Sequence, residues 1–257
     1  MPHTNTRHFP KQETPFPLGR NVRHDSRSRS FTYPVPVTPI RHISVVWPHS
    51  TPVLNQGSKS SCVGNAGAQF LNCDMYRALR GRVNALLEAP DQDLWLTESD
   101  AITLYSMATH NDGFGPDQYY PPNDQGASGL GVAQAMMQLG YLKSYQHCFT
   151  MTQLQAAIQN QPVIIGTSWT NAMFDPDPAT GIVTVGALND QTVVGGHEYL
   201  VQGIDYQRQT IVCLNSWGPG WGGGSGLSGG QFRIRFSDVE ALLADEGDIV
   251  VPRVVSG

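Results

Sequence analysis

The reactive chemistry of this sequence sits in three short stretches, each holding one residue able to take part in nucleophilic catalysis. The first, TPVLNQGSKSSC, ends in Cys62, and an apolar stripe at Val63, Ala66, Phe70 and Cys73 follows at helical spacing. A cysteine on the first turn of a helix meets unpaired backbone N–H groups and the positive end of the helix dipole. Both favour the thiolate, the nucleophilic form. The second stretch is VGGHEYL, where His197 enters an apolar run behind Gly195 and Gly196 and has room to face a groove as a base. The third is VCLNSWGPGWG, in which Asn215 ends an apolar run just before Trp217 and Trp221. Each also has a plain reading: a core cysteine, a core or surface histidine, a turn asparagine. Together they supply a nucleophile, a base and a group to orient the base.

The elements that must position them divide the chain in two. Apolar spacing predicts helices from Cys62 to about Arg80, from Leu96 through Met107, from Leu130 to Leu139 with Gly140 as the stop, and over Met151–Gln159. Beyond Pro162 the runs are strand-like: VIIGTSW, GIVTV, EYLVQGID, TIVCLNSW and QFRIRF. Ser237 and Glu240 read as a capping box for a last short helix ending at Ala244. Helices first and antiparallel strands afterwards make an α+β fold with a cleft where the halves meet.

Composition excludes several classes. The 257 residues are 40% hydrophobic, enough for a real core, and no run of eighteen apolar residues exists to span a membrane. The N-terminus has no apolar segment of the kind a secretory signal needs, so cytoplasmic action is expected, as in a bacterium or a phage-infected cell. The four cysteines, at 62, 73, 148 and 213, show neither CxxC pairs nor the regular spacing of a disulfide scaffold. They read as reduced, no metal ligand set is evident, and no cofactor is expected.

Residues 1–42 form a distinct arm ahead of a domain over 43–257. Seven of the chain's basic residues and two of its acidic ones fall in the arm, a net of +5, while the whole chain is −5, leaving −10 for the rest. Frequent prolines deny the arm both helix and central strand. Its Arg/Ser-rich piece, RHDSRSRS, lacks the interleaved aromatics of a nucleic-acid binder, so no nucleic-acid partner is expected. A basic arm on an acidic body is expected to dock there. Phe31, Tyr33, Val35 and Val37 are its apolar anchors, placed either in the cleft or on the back of the domain.

The ordered set TPVxNQG, SC at a helix start, GGH and NSWGxGWG resembles the papain-like cysteine peptidases, over about residues 43–236. The resemblance implies a cysteine peptidase acting on polypeptides through a thioester acyl-enzyme. Cys62 would be the nucleophile, His197 the base, Asn215 its orienting partner and Gln56 an oxyanion donor, with Cys62 and His197 resting as a thiolate–imidazolium pair. Trp217 would roof the Asn215–His197 hydrogen bond. Gly126, Ala127 and Gly196 would border an extended substrate, with an apolar residue preferred two positions before the scissile bond. A monomer without membrane attachment is expected. Two other readings use the same fold: an amidase or cell-wall peptide hydrolase with the same triad, and a non-catalytic virion or binding protein.

This sequence departs from the family pattern at several places. Lys59 stands where a disulfide cysteine is usual, and Val63 replaces a tryptophan. Glu198 follows the histidine where alanine is common; in a strand it must point away from His197, into either a buried pairing or a special subsite. The stretch GPGWGGGSGLSGG over 218–230 is longer than usual and reads as a loop near the cleft rim.

Overall fold

The structure is a computed structural model that describes residues 5–9, 12–24, 30–35, 42–76 and 95–254. Its centre is a mixed-length antiparallel sheet with helices on both sides. In chain order the elements are β1 (Asn5–Arg7), β2 (Val22–His24), β3 (Val45–Val46), α1 (Cys62–Asn72), α2 (Glu98–Asn111), α3 (Gly129–Gln138), β4 (Leu142–Cys148), α4 (Met151–Ile158), β5 (Val163–Thr170), β6 (Val193–Asp205), β7 (Thr210–Leu214), β8 (Gln231–Arg235), α5 (Phe236–Ala244) and β9 (Asp248–Val254). Seven strands form the main sheet in the order β4-β9-β5-β6-β7-β8, with β3 added along β6. A separate two-stranded ribbon pairs β1 with β2.

The strands are covered on both faces, and this explains their sequences. Every residue of β5, VIIGTSWT, is buried, so the run reads as continuously apolar or small rather than alternating. Alternation still decides which face each side chain joins. Ile164, Leu200, Leu214 and Val250 meet α1, α2 and α3 in one core, around Phe70, Leu104 and Met136. Ile165, Tyr199, Val201 and Cys213 build the other core with Trp169, Phe232 and Leu154. Helix α1 is buried along its whole length and lies between the sheet and α2, a position its small residues (Gly64, Ala66, Gly67, Ala68) permit.

The helix starts follow capping chemistry. The Thr97 amide donates to the Asp100 carboxylate at 2.7 Å, and the Ser128 hydroxyl accepts from the Gly131 amide at 3.0 Å. Helix α2 runs four residues beyond the predicted Met107, to Asn111. The predicted box of Ser237 and Glu240 does not cap a helix: α5 starts at Phe236 directly out of β8, which places Ser237 inside it. GIVTV is not a strand; its Ile182 makes only an isolated bridge to Arg233. Two strands lacking a clear sequence signal, β4 and β9, extend the sheet instead. Pro252 sits within β9, beyond the last residue pairing with β5, where a missing N–H costs nothing on that side.

The arm meets the body at several places among its described residues. Residues 30–35 lie along β4, an edge of the sheet, where the Tyr33 amide donates to the His147 carbonyl at 2.8 Å. The Tyr33 hydroxyl accepts from Asn160 at 3.1 Å, and its ring lies under the Arg253 guanidinium. Of the four anchors, Tyr33 alone is buried among the described residues; Phe31 and Val35 are exposed and Val37 lies outside them. The earlier piece, residues 12–24, crosses the molecule elsewhere, over the loop that leads into α1.

Because Tyr33 is the buried anchor of its segment, Tyr33→Ala removes both its packing and its hydroxyl contact. An unfolding free energy lower by about 2–4 kcal/mol is expected, read as a shift in the urea midpoint at unchanged slope.

Candidate active site

Helix α1 and strand β6 bring the predicted reactive pair to one place. Cys62 opens α1 and is fully buried, and the backbone of Glu198 hydrogen-bonds its sulfur, one residue from His197. His197 Nε2 lies 2.7 Å from Asn215 Oδ1. Its other ring nitrogen, Nδ1, is buried without a partner, which leaves it available for a proton from a thiol. Asn215 is held at the end of β7 by its own amide, which donates to the Gly230 carbonyl at 2.8 Å, while its Oδ1 also accepts from the Ser216 amide. The end of the long glycine stretch thus fixes Asn215.

Aromatic rings close the site. Trp217 stacks on the His197 ring at 4.6 Å between centroids, and Trp169 meets that ring edge-on at 4.8 Å. Gln56 is tied to the same loop, its amide donating to the Ser216 carbonyl and its Oε1 accepting from the Ser216 hydroxyl at 2.7 Å. These bonds turn Gln56 Nε2 outward. It donates to the Lys59 carbonyl at 2.9 Å and to the Pro17 carbonyl of the arm at 3.2 Å.

The arm therefore runs through the cleft. Phe16 stacks on Trp217 at 4.8 Å, and the Trp217 indole N–H also donates to the Pro17 carbonyl. Gly19 and Arg20 both donate to the Gly196 carbonyl, and Ala127 donates to Gly19 and accepts from Asn21. Gly19 fits where no other residue would: a Cβ there would lie 2.0 Å from the Ser60 carbonyl oxygen, two residues before Cys62. Of the predicted bordering residues, Gly196, Ala127 and Gly126 all touch the arm here; a Cβ on Gly126 would meet the Gly19 carbonyl at 2.2 Å.

Covering the site changes its electrostatics. Burial, and after it the charge of Glu198, raises the Cys62 thiol above its ordinary value. Burial lowers His197 to about 4 against a smaller opposing effect from the Asn215 hydrogen bond. Burial thus favours the neutral form of each group. Burial beneath the arm disfavours both charges of the thiolate–imidazolium pair expected from sequence.

One pocket was not foreseen. Arg20 is fully buried, ion-paired to Asp248 and donating to the Glu246 carbonyl at 2.5 Å. Glu198 is buried in the same pocket with both carboxylate oxygens unbonded. The side chain opposite Ala127 thus meets an acidic pocket to which Asp248 contributes. Nothing in the spacing of Asp248 marked it, since β9 reaches the site only through sheet pairing.

No protein-family model matches the chain, and no curated protein matches it in sequence. Solved structures do. Xylellain, a cysteine protease from Xylella fastidiosa, superposes with a TM-score of 0.61 at 18% identity, over 96% of this chain and 99% of that one. The chain has the papain-like fold. Digestive procathepsin L 3 of the Tenebrio molitor larval midgut matches this papain-like chain with a TM-score of 0.57 at 15% identity, over 96% of it and 83% of the other. A Carica candamarcensis cysteine protease, solved in complex with E-64, gives 0.54 at 20% identity, over 85% and 100% of the two chains. The four cysteines are all free and buried, so Lys59 leaves no bridge behind in this papain-like framework. No described helix is long and apolar enough to cross a membrane.

The lowered His197 has a signed consequence. Between about pH 4 and 6.5 the unfolded chain holds more of that proton than the folded one, so stability rises with pH across this window. Asp112, raised by burial to about 6, contributes with the opposite sign between its ordinary value and 6. Comparison with His197→Gln at each pH cancels the Asp112 contribution. Relative to that variant, the natural chain is expected to lose about 1–3 kcal/mol of unfolding free energy on acidification from pH 6.5 to 4.

Proposed function

We propose that this chain is a thiol peptidase whose own N-terminal arm covers the catalytic cleft. The observation that carries the reading is the orientation of His197, with Nε2 on Asn215 at 2.7 Å and Nδ1 left for the sulfur of Cys62. Once the arm has left, Nδ1 takes the thiol proton as the sulfur attacks a peptide carbonyl carbon. Gln56 Nε2 and the backbone N–H of Cys62 receive the oxyanion. The Pro17 carbonyl on Gln56 Nε2 supports this, because a carbonyl oxygen already sits on the donor that a substrate would use.

The C–N bond then breaks, with the proton passing from His197 to the leaving amine, and a thioester remains on Cys62. Water, deprotonated by His197, attacks that thioester, and a second tetrahedral species expels the thiolate. Asn215 keeps the ring in one orientation through both half-reactions, and the Trp217 ring shields their hydrogen bond from water.

A synthetic peptide mixture digested by the protein, read by mass spectrometry, tests the reading. Cys62→Ala is expected to abolish cleavage, and Gln56→Ala to lower kcat/KM about 10²- to 10³-fold with little change in KM. The cover is tested at Gly19, where Gly19→Val must push the arm off the Ser60 carbonyl. That variant is expected to label at Cys62 with an epoxide thiol reagent at least about tenfold faster than the natural chain. Equal rates would mean that the arm does not guard the sulfur.

A further inference from the structure

The pocket that holds Arg20 is built from three neighbouring strands at one level. Gly166 on β5 pairs with Glu198 on β6 on one side and with Asp248 on β9 on the other. Adjacent strands at the same register point their side chains to the same face, so the two carboxylates flank a residue that has none. The space above Gly166 is where the charges meet. A Cβ there would lie 2.3 Å from Glu198 Oε2 and 2.7 Å from Arg20 Nε. Gly129, at the start of α3, opens the opposite wall: a Cβ on it would lie 2.5 Å from Glu198 Oε1 and 2.9 Å from Asp248 Oδ2.

The backbone of the arm is held as a strand on either side of this pocket. Arg20 donates to the Gly196 carbonyl, and its neighbours pair with Ala127. Any extended chain laid in the cleft therefore drops the side chain opposite Ala127 between Glu198 and Asp248. A buried Glu198 and a largely covered Asp248 without a cation would be costly, and an apolar side chain would leave both acids without a partner. Asp112 adds a third carboxyl group near them and is itself paired with Arg23 of the arm at 3.7 Å.

We propose that this pocket is a guanidinium-binding subsite, occupied by Arg20 in the covered form and selecting an arginine of polypeptide substrates once the arm has left. The substrate half of this statement rests on the peptidase reading above. Guanidinium suits the pocket better than ammonium because it remains charged when dry and keeps Nε and Nη1 for further acceptors while Nη2 alone serves Asp248 and the Glu246 carbonyl. Arg20 does not fill every role, since Nε, Nη1 and both Glu198 oxygens lack hydrogen bonds. The arm is thus an imperfect occupant, which a better-seated arginine can replace.

Two measurements on the full-length chain test the subsite. The first is chemical rescue of Arg20→Ala, with Arg20→Gln in reserve should the alanine variant fail to fold. Ethylguanidinium at about 10 mM is expected to raise the Tm of the variant by about 2 °C or more, with no rise when Asp248→Asn is added. No rise in the single variant, or an equal rise in the double one, overturns the subsite whatever the enzyme does. The second compares cleavage of peptides differing only at the second residue before the cut. Arginine is expected to exceed both citrulline and leucine about tenfold or more in kcat/KM, an advantage lost in Asp248→Asn. Leucine equal to or better than arginine overturns the selectivity. Rescue of the melt without cleavage of any peptide leaves the guanidinium site standing and counts against the peptidase reading instead.

Discussion

A strand can present consecutive residues only to opposite faces, and the site depends on this at residues 196–198 of β6. Gly196 offers its carbonyl to whatever lies in the cleft, His197 turns into the aromatic core against Trp169 and Trp217, and Glu198 turns to the other side beneath α1 and α3. A register slip of one residue would exchange the base and the acid. The register is held over seven pairs with β5, from Val163–Val201 to Trp169–Gly195, and both strands are buried on both faces. Helix α1 then needs only to pack across β6 for its first residue, Cys62, to meet the strand beside His197.

The charges follow from the same geometry. Of the arm's basic residues, Arg7, Arg20 and Arg23 reach acidic groups of the body, and Arg20 does so without any exposure to solvent. Surface pairs such as Arg7–Glu246 contribute little, about 0–1 kcal/mol. The buried one is different in kind, because removing its arginine strands two carboxylates rather than merely breaking a contact. Beneath the same cover the thiol and imidazole lose their hydration together, so one segment both fills the acidic pocket and disfavours the thiolate. Hydration of the cleft and exchange of the pocket's cation are thus linked events.

Much of this was legible in the residues alone. The helical stripe after Cys62 and the buried runs of β5 to β8 follow from local spacing, which short-range sterics and burial enforce, while the order Gln56, Cys62, His197, Asn215 was legible through its resemblance to the papain-like peptidases. The opposition of His197 and Glu198 was legible for the same reason. The excess of positive charge on the arm also foretold docking on an acidic body, since net charge needs no coordinates to be counted.

Other features depend on segments far apart in the chain. Strand β9 brings Asp248 beside Gly166 and Glu198 across the sheet, and no local pattern encodes that pairing. The sequence offered Phe31 to Val37 as the arm's anchors because they are apolar, yet only Tyr33 is buried at the sheet edge, while Phe16 to Asn21 take the cleft. Backbone fit chose that stretch: Gly19 alone can pass between Ser60, Gly126 and Gly196, and it sets the next residue, Arg20, above the acids. Residue types and their spacing determined the chemistry available to this protein. Tertiary pairing decided which charges share the cleft and what covers it, because long-range register and steric clearance exist only once the chain has folded.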